Sequence, residues 1–340
     1  MLKGRAAVNL NFSAPPESIQ AAIAAAGIKQ VFTSRQFEAR LEARGVDMQA
    51  MLAGVEIRYM EDIREGIKQW QLILRLLEVS LLPARLLYLL HGRRVGLEDP
   101  AAILFSSGSE GQPKGVVLSH RNIQSNCKQI SDVLNTRVDD VIMASLPPFH
   151  AFGLTVTLIM PLIEGIPIVC SPDPTDVLAI ARAVARYRAT ILFGTATFPS
   201  LYARNRKVDP ILLESLRIVV AGAEKLPSHV RQEFQLKFNK YILEGYGATE
   251  TTPVASVNVP DAVDTNDWKI QVGQREGSVG LPLPGTSFKI VDPNTGEELP
   301  LGEDGMICIS GNQVMQGYLN DDDKTNEVIF EQDGMRWYLT

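Results

Sequence analysis

The sequence predicts an α/β fold: mostly parallel sheets covered by helices, with a smaller antiparallel β-rich subdomain. Three observations predict it. From Asp99 onward, short apolar runs alternate with stretches of helical length, the pattern of buried strands under crossover helices. After about Pro260, turn signals take over: Ser278-Val279-Gly280, Pro284-Gly285 and Asn294-Thr295-Gly296. They punctuate strands. A glycine- and serine-rich loop follows the first buried run, at residues 106–115.

In chain order, residues 18–26 have helical character and end at Gly27. Residues 30–33 suit a short strand, and Ser34 can cap a helix that runs to about Arg44 and stops at Gly45. Residues 67–91 are the most apolar segment, broken by Pro83. Two readings stand: a pair of core-packing helices, or an interfacial amphipathic element or surface for a missing domain. Strands are expected at 101–105, 141–146, 166–170, 190–193 and 216–220. Helices are expected at 122–134, 154–163, 176–187 and 227–238, the last with Pro227 in its first turn. Residues 286–291 and 306–310 read as strands of the tail. The expected domains are 1–98, a partial α/β subdomain with the apolar segment; 99–260, the main α/β subdomain; and 261–340, the β-rich one.

Bulk properties exclude several classes. Apolar content is 45%, charged content 21% and the net charge −6, so neither a disordered chain nor a globally basic nucleic-acid binder fits. Cys127, Cys170 and Cys308 are too scattered for a disulfide framework or zinc site. Asn9, Asn11 and Ser13 interrupt any signal-peptide core, and no apolar run reaches the ~18 residues of a membrane span.

The loop Ser106-Ser107-Gly108-Ser109-Glu110-Gly111-Gln112-Pro113-Lys114-Gly115 carries the chemistry. A phosphate binder needs exposed amides, small residues and a cation, and all three are present. Pro113 before the lysine and Gly115 after it rule out a Walker A loop. A plain Gly/Ser turn would have the same composition, and Glu110 repels phosphate unless it points away or acts through a metal.

The loop resembles the phosphate-binding signature of the acyl-adenylate-forming superfamily. Residues 146–153 (Leu-Pro-Pro-Phe-His-Ala-Phe-Gly) resemble its acyl-pocket motif, 220–224 (Val-Ala-Gly-Ala-Glu) its adenine segment, 244–250 (Glu-Gly-Tyr-Gly-Ala-Thr-Glu) its nucleotide and magnesium motif, and 337–340 (Trp-Tyr-Leu-Thr) the run before its ribose-binding Gly-Asp. Glu110, the Pro148–Thr155 run and Gly245-Tyr246-Gly247 within a long similar stretch resemble one subgroup, the bacterial bifunctional acyltransferase/acyl-(acyl carrier protein) synthetase.

The resemblance implies that a fatty acid is activated by ATP to acyl-AMP and passed to the thiol of acyl carrier protein, with Mg²⁺ as metal, in phospholipid acyl-chain recycling. Ser106, Ser107, Gly108, Ser109, Gly111 and Lys114 would hold the β- and γ-phosphates. Gly222, Ala223, Glu224, Gly245, Tyr246 and Gly247 would surround the nucleotide. Thr249 would contact the α-phosphate, Glu250 would bind Mg²⁺, and His150 would sit beside the acyl-adenylate. From local sequence alone, His150 and Tyr246 suit core packing, Lys114 and Glu224 solvent, and Glu250 a helix end. The family's ribose-binding aspartate, C-terminal lid lysine and acyltransferase domain fall outside residues 1–340, so a truncated chain with slow or undetectable adenylation is expected. The parent is expected at the cytoplasmic side of the bacterial inner membrane, with peripheral membrane contact. Rival readings are a fatty acyl-CoA ligase using coenzyme A, or a noncatalytic nucleotide-binding or scaffold module.

Overall fold

Small polar caps and turn glycines lay out the start of the chain. The structure, a computed structural model, describes residues 4–107 and 113–340. It divides into two units, Met1–Val117 with Tyr318–Asp321, and Leu118–Gly317 with Asp322–Thr340. In the first unit come β1 (Ala7–Val8), α1 (Pro16–Ala25), β2 (Gln30–Thr33), α2 (Arg35–Glu42), α3 (Met48–Met51), β3 (Glu56–Tyr59), α4 (Met60–Gly66), α5 (Gln69–Leu81), α6 (Ala84–His91), β4 (Pro100–Ser107) and β5 (Pro113–Ser119), which runs into the second unit.

Ser34 accepts from the Phe37 N–H at 3.1 Å, and Asp47 from the Ala50 N–H at 3.0 Å, opening α2 and α3. The pair β2–β3 is parallel, and Ile19, Ile23, Leu41, Met48 and Met51 form a small core beneath it. A separate sheet has the order β1, β4, β5 and then Gly317–Tyr318. The segment 67–91 forms two helices broken at Pro83, as its sequence suggests. None of their residues is buried, so the core-packing reading fails.

The second unit continues with α7 (His120–Val133), β6 (Ile142–Ala144), a π-helix (Gly153–Ile159), α8 (Met160–Glu164), β7 (Ile168–Cys170), α9 (Val177–Tyr187), β8 (Ile191–Thr195), α10 (Phe198–Arg204), β9 (Ile218–Gly222), α11 (Ser228–Phe238), β10 (Leu243–Gly247) and β11 (Val254–Val257). Short strands follow, β12 (Ala262–Val263), β13 (Ile270–Gln271) and β14 (Leu281–Pro282). The chain ends with β15 (Ser287–Val291), β16 (Met306–Ser310), β17 (Gly317–Tyr318), α12 (Asp322–Val328), β18 (Ile329–Gln332) and β19 (Met335–Leu339).

Seven strands pair in the order β14-β11-β10-β9-β8-β6-β7. The five from β10 to β7 are parallel, and β11 and β14 add antiparallel. Strand β9 reads Ile-Val-Val-Ala-Gly and is buried throughout, as a central parallel strand covered on both faces must be. Ile180, Val184, Leu192, Val219, Phe234 and Phe238 pack α9 and α11 onto this sheet. The tail forms the expected antiparallel sheet, β15-β16-β19-β18. The stretch expected to be a helix at 154–163 begins as a π-helix, and π-turns of this kind recur at functional sites.

Candidate active site

Parallel strands β8, β9 and β10 finish side by side at Thr195, Gly222 and Gly247. A cleft of about 460 Å³ opens over these carboxyl ends, within the second unit. That is where open parallel sheets bind ligands, since the strand ends and their loops diverge there. Apolar walls come from Ile130, Leu134, Val156, Phe193 and Phe198. Polar groups come from His150, Thr195, Glu224, Tyr246 and Thr249.

The loop after β6 places His150. Gly153 closes it against the Pro147 carbonyl, where a Cβ would lie 2.1 Å from the oxygen. The His150 N–H donates to Pro147 O at 3.2 Å, and Leu154 N–H to His150 O at 2.9 Å. The His150 ring is solvent-accessible on one side and packs against Phe149 with centroids 4.6 Å apart. Partial desolvation lowers its pKa below the ordinary imidazole value. Phe152 meets Phe193 edge-on at 5.9 Å.

Beyond β9, Ala223 takes a left-handed φ of +71° and Glu224 is exposed. At the end of β10, Gly247 lies so close to Pro253 that a Cβ would stand 1.7 Å from its carbonyl oxygen. The 3₁₀ turn Thr249–Thr251 is pinned from several sides. Ala248 N–H donates to Thr251 Oγ1 at 2.9 Å, and Thr251 Oγ1 donates to Pro253 O at 2.6 Å. Thr155 Oγ1 donates to Thr252 O at 3.1 Å. Met315 N–H donates to Glu250 O at 2.7 Å.

The cleft thus gathers His150, Gly222, Ala223, Glu224, Gly245, Tyr246, Gly247 and Thr249. Glu250 follows Thr249 directly, half-buried, but is not part of the lining. Ser106 and Ser107 end β4, and Lys114 is the second residue of β5, its Nζ 5.4 Å from the Tyr318 ring centroid. Gly108, Ser109 and Gly111, with Glu110, lie outside the described residues. Among the described residues no three His, Cys, Asp or Glu side chains cluster as a metal cage. Magnesium needs none, because it uses one or two carboxylates with water and substrate phosphates. A single carboxylate on a pinned turn suits it.

Two sets of residues escaped the sequence reading. Asn122, Asn126 and Gln129 form a buried polar stripe on α7. Asn126 Nδ2 donates to Val254 O at 2.7 Å and its Oδ1 accepts from Val254 N–H at 3.2 Å, fixing one wall of the cleft. Their i, i+4, i+7 spacing could have revealed it, but polar residues at helical spacing normally signal a solvent face. At the opposite end of the sheet, buried Asp140 accepts from Thr190 Oγ1 at 2.6 Å and Arg217 Nε at 2.8 Å. These three residues precede β6, β8 and β9. Burial alone would raise the Asp140 carboxyl, but the Arg217 and Thr190 hydrogen bonds hold it below the usual range.

Comparison with known proteins finds relatives of the chain as a whole. The profile of "AMP-binding enzyme" matches residues 2–319. The probable 4-coumarate–CoA ligase 2 of Dictyostelium discoideum is 36% identical over 241 residues, 70% of this chain and 41% of that protein. The long-chain-fatty-acid–CoA ligase of Escherichia coli O6:H1 is 30% identical over 235 residues, 68% of this chain and 40% of that protein. The chain therefore spans about two-fifths of the curated relatives it matches. Among solved structures, ATP-bound MatB from Rhodopseudomonas palustris superposes with a TM-score of 0.74 at 27% identity, over 98% of this chain and 60% of that one.

Proposed function

The chain belongs to the AMP-binding enzyme family, and from that premise we propose that it carries the nucleotide- and acyl-facing part of an enzyme that activates a fatty acid as its acyl-adenylate. One observation carries the reading: a partly apolar cleft at the carboxyl ends of β8, β9 and β10 gathers a histidine, a tyrosine, a threonine and several glycines. The names of the fatty-acid and coumarate ligases support it.

In the proposed reaction a carboxylate oxygen attacks the α-phosphorus of ATP, and the bond to the bridging pyrophosphate oxygen breaks. A thiolate then attacks the acyl carbon and AMP leaves. The side chain of Tyr246 and the backbone at Gly222-Ala223-Glu224 would flank adenine, and the Thr249 hydroxyl would donate to the α-phosphate. His150 would hydrogen-bond the reacting acyl group. Gly247 has no side chain because the Pro253 carbonyl fills that space, which brings two walls of the cleft together. Ser106, Ser107, Gly108, Ser109, Gly111 and Lys114 remain the proposed ligands of the β- and γ-phosphates. Glu250 would hold Mg²⁺, which when bound offsets the negative charge of the phosphate oxygens.

For the acceptor we propose the thiol of a carrier protein, on the subgroup likeness of Glu110 and the Pro148–Thr155 run. The same likeness supports a parent that also bears an acyltransferase and serves phospholipid acyl-chain recycling at a membrane. A second reading, coenzyme A as acceptor, is favoured by the relatives' names. Comparing acyl transfer from the parent enzyme to each thiol separates the two.

The adenylation reading is tested on the chain itself by calorimetric titration with a non-hydrolysable acyl-sulfamoyl adenosine. Saturable binding is expected, weakened at least about tenfold by Tyr246→Ala or His150→Ala, the equivalent of ~1.4 kcal/mol. A folded wild-type chain that ignores the analogue rejects the reading.

A further inference from the structure

Helices α5 and α6 carry apolar surface that nothing in the described chain covers. Leu76 is 68% exposed, Leu81 75% and Leu89 64%, and Trp70, Ile73 and Leu90 are exposed as well. A water-facing helix turns such a face inward, and a contiguous exposed patch marks an interaction surface.

The polar residues show how the pair is assembled. Gln71, Arg75 and Glu78 share one narrow stripe of α5, at i, i+4 and i+7. Glu78 Oε2 lies 2.5 Å from Arg75 Nη1 and 3.3 Å from His91 Nε2 at the end of α6, and Arg75 Nη1 lies 3.2 Å from that same His91 nitrogen. The two helices therefore join through polar groups and leave leucines outside, the reverse of a hairpin built for water.

Charge identifies the occupant. Residues 67–94 contain Lys68, Arg75, Arg85, Arg93 and Arg94 against Glu78 alone, a net charge of +4 in a chain of −6. Two copies meeting face to face would set +4 against +4, which opposes a symmetric dimer. An anionic lipid surface attracts the same cations. At 13 residues α5 is about 20 Å long, too short for the ~30 Å hydrocarbon core. No helix among the described residues is long and apolar enough to cross a membrane.

We propose that the α5–α6 pair is a membrane-docking element that lies in the plane of an anionic bilayer, its leucine face in the acyl boundary and its arginines at phosphate level. This stands independently of the adenylation reading.

The test is flotation of the chain with vesicles of phosphatidylcholine, with and without about 30% phosphatidylglycerol. Co-flotation with the anionic vesicles is expected, falling at least about tenfold on phosphatidylcholine alone and at high salt. The double variant Leu76→Glu/Leu81→Glu should lose flotation with an unchanged circular-dichroism melt, because both sites are exposed. Arg85→Glu/Arg93→Glu should abolish the preference for anionic vesicles. With brominated lipids, tryptophan quenching should disappear in Trp70→Phe. Absence of flotation on anionic vesicles overturns the proposal, as does flotation indifferent to Leu76→Glu/Leu81→Glu. So does an oligomer by light scattering that this variant dissolves while wild type fails to float; the face would then belong to self-association.

Discussion

At Gly247 the main chain leaves no room for a side chain, because a Cβ would stand 1.7 Å from the Pro253 carbonyl oxygen. A backbone oxygen cannot rotate aside, so Gly247→Ala must displace the Pro253–Val254 wall. A loss of about 2 kcal/mol or more is expected in urea unfolding, together with weaker binding of the acyl-adenylate analogue. Gly222→Ala is the control: its Cβ would meet neighbours at 3.5 Å, ordinary contact, and under about 1 kcal/mol is expected. His150 adds a pH signature. Its folded pKa lies below the ordinary 6.5 because of burial, so the unfolded chain binds the proton more readily. Stability should therefore fall as pH drops from about 6.5 toward the folded pKa, and be unaffected by this residue above that window. Urea midpoints at several pH values should show a flatter profile for His150→Gln; an identical slope would remove the titration from His150. The flanking phenylalanines of this histidine suggested core packing, and only the resemblance of residues 146–153 to an acyl-pocket motif pointed to the cleft that it lines. The demand on Gly247 was not legible in the sequence, because it arises from a carbonyl six residues later that only the folded turn brings near.

The elements that hold the cleft are cross-linked by side chains, and helix α7 does most of this. Asn126 is fully buried and satisfies both backbone groups of Val254. Asn126→Leu leaves that N–H and C=O without their partner, which costs about 2–6 kcal/mol at ~1–3 per stranded group. Measured stability within ~0.5 kcal/mol of wild type would mean that Val254 finds other partners. At the far end of the sheet, Arg217→Met strands the Asp140 carboxylate, 1% exposed, and a loss of about 3–5 kcal/mol is expected near pH 7. Asp140 has a lowered folded pKa, so its contribution is present above the unfolded value of about 3.8 and disappears as pH falls through the folded one. The gap between wild type and variant should therefore close in acid. Most helices and parallel strands were legible because burial on one stripe or both faces imposes a period. The polar stripe of α7 was not, since asparagines at helical spacing look the same whether they face water or a loop's carbonyls. The leucines of α5 and α6 were legible as helices but not as exposed ones, because apolar periodicity says that a face wants covering and not by what.

Across the whole molecule, the sheet order sets where chemistry can occur. Alternating strands and helices predicted parallel pairing, and parallel pairing aligns β8, β9 and β10 so that all three carboxyl ends open on one side. What periodicity could not reach is pairing across long sequence separations. Gly317–Tyr318 joins the sheet of β4 and β5 some two hundred residues after them, and Tyr318–Asp321 belongs with the first unit. A ligand bound over the strand ends makes a distributed prediction that no single substitution does. At about one hundred times its Kd, an acyl-adenylate analogue stabilises the folded state by ~2.7 kcal/mol. Hydrogen exchange should register this most strongly in peptides that hold Thr195, Gly222 and Gly247, and least at the amino ends of the same strands, near Thr190 and Arg217. The asymmetry within each strand distinguishes local contact from general tightening, which would slow both ends alike. Protection that spares all three carboxyl ends would take the ligand out of this cleft, whatever its measured affinity.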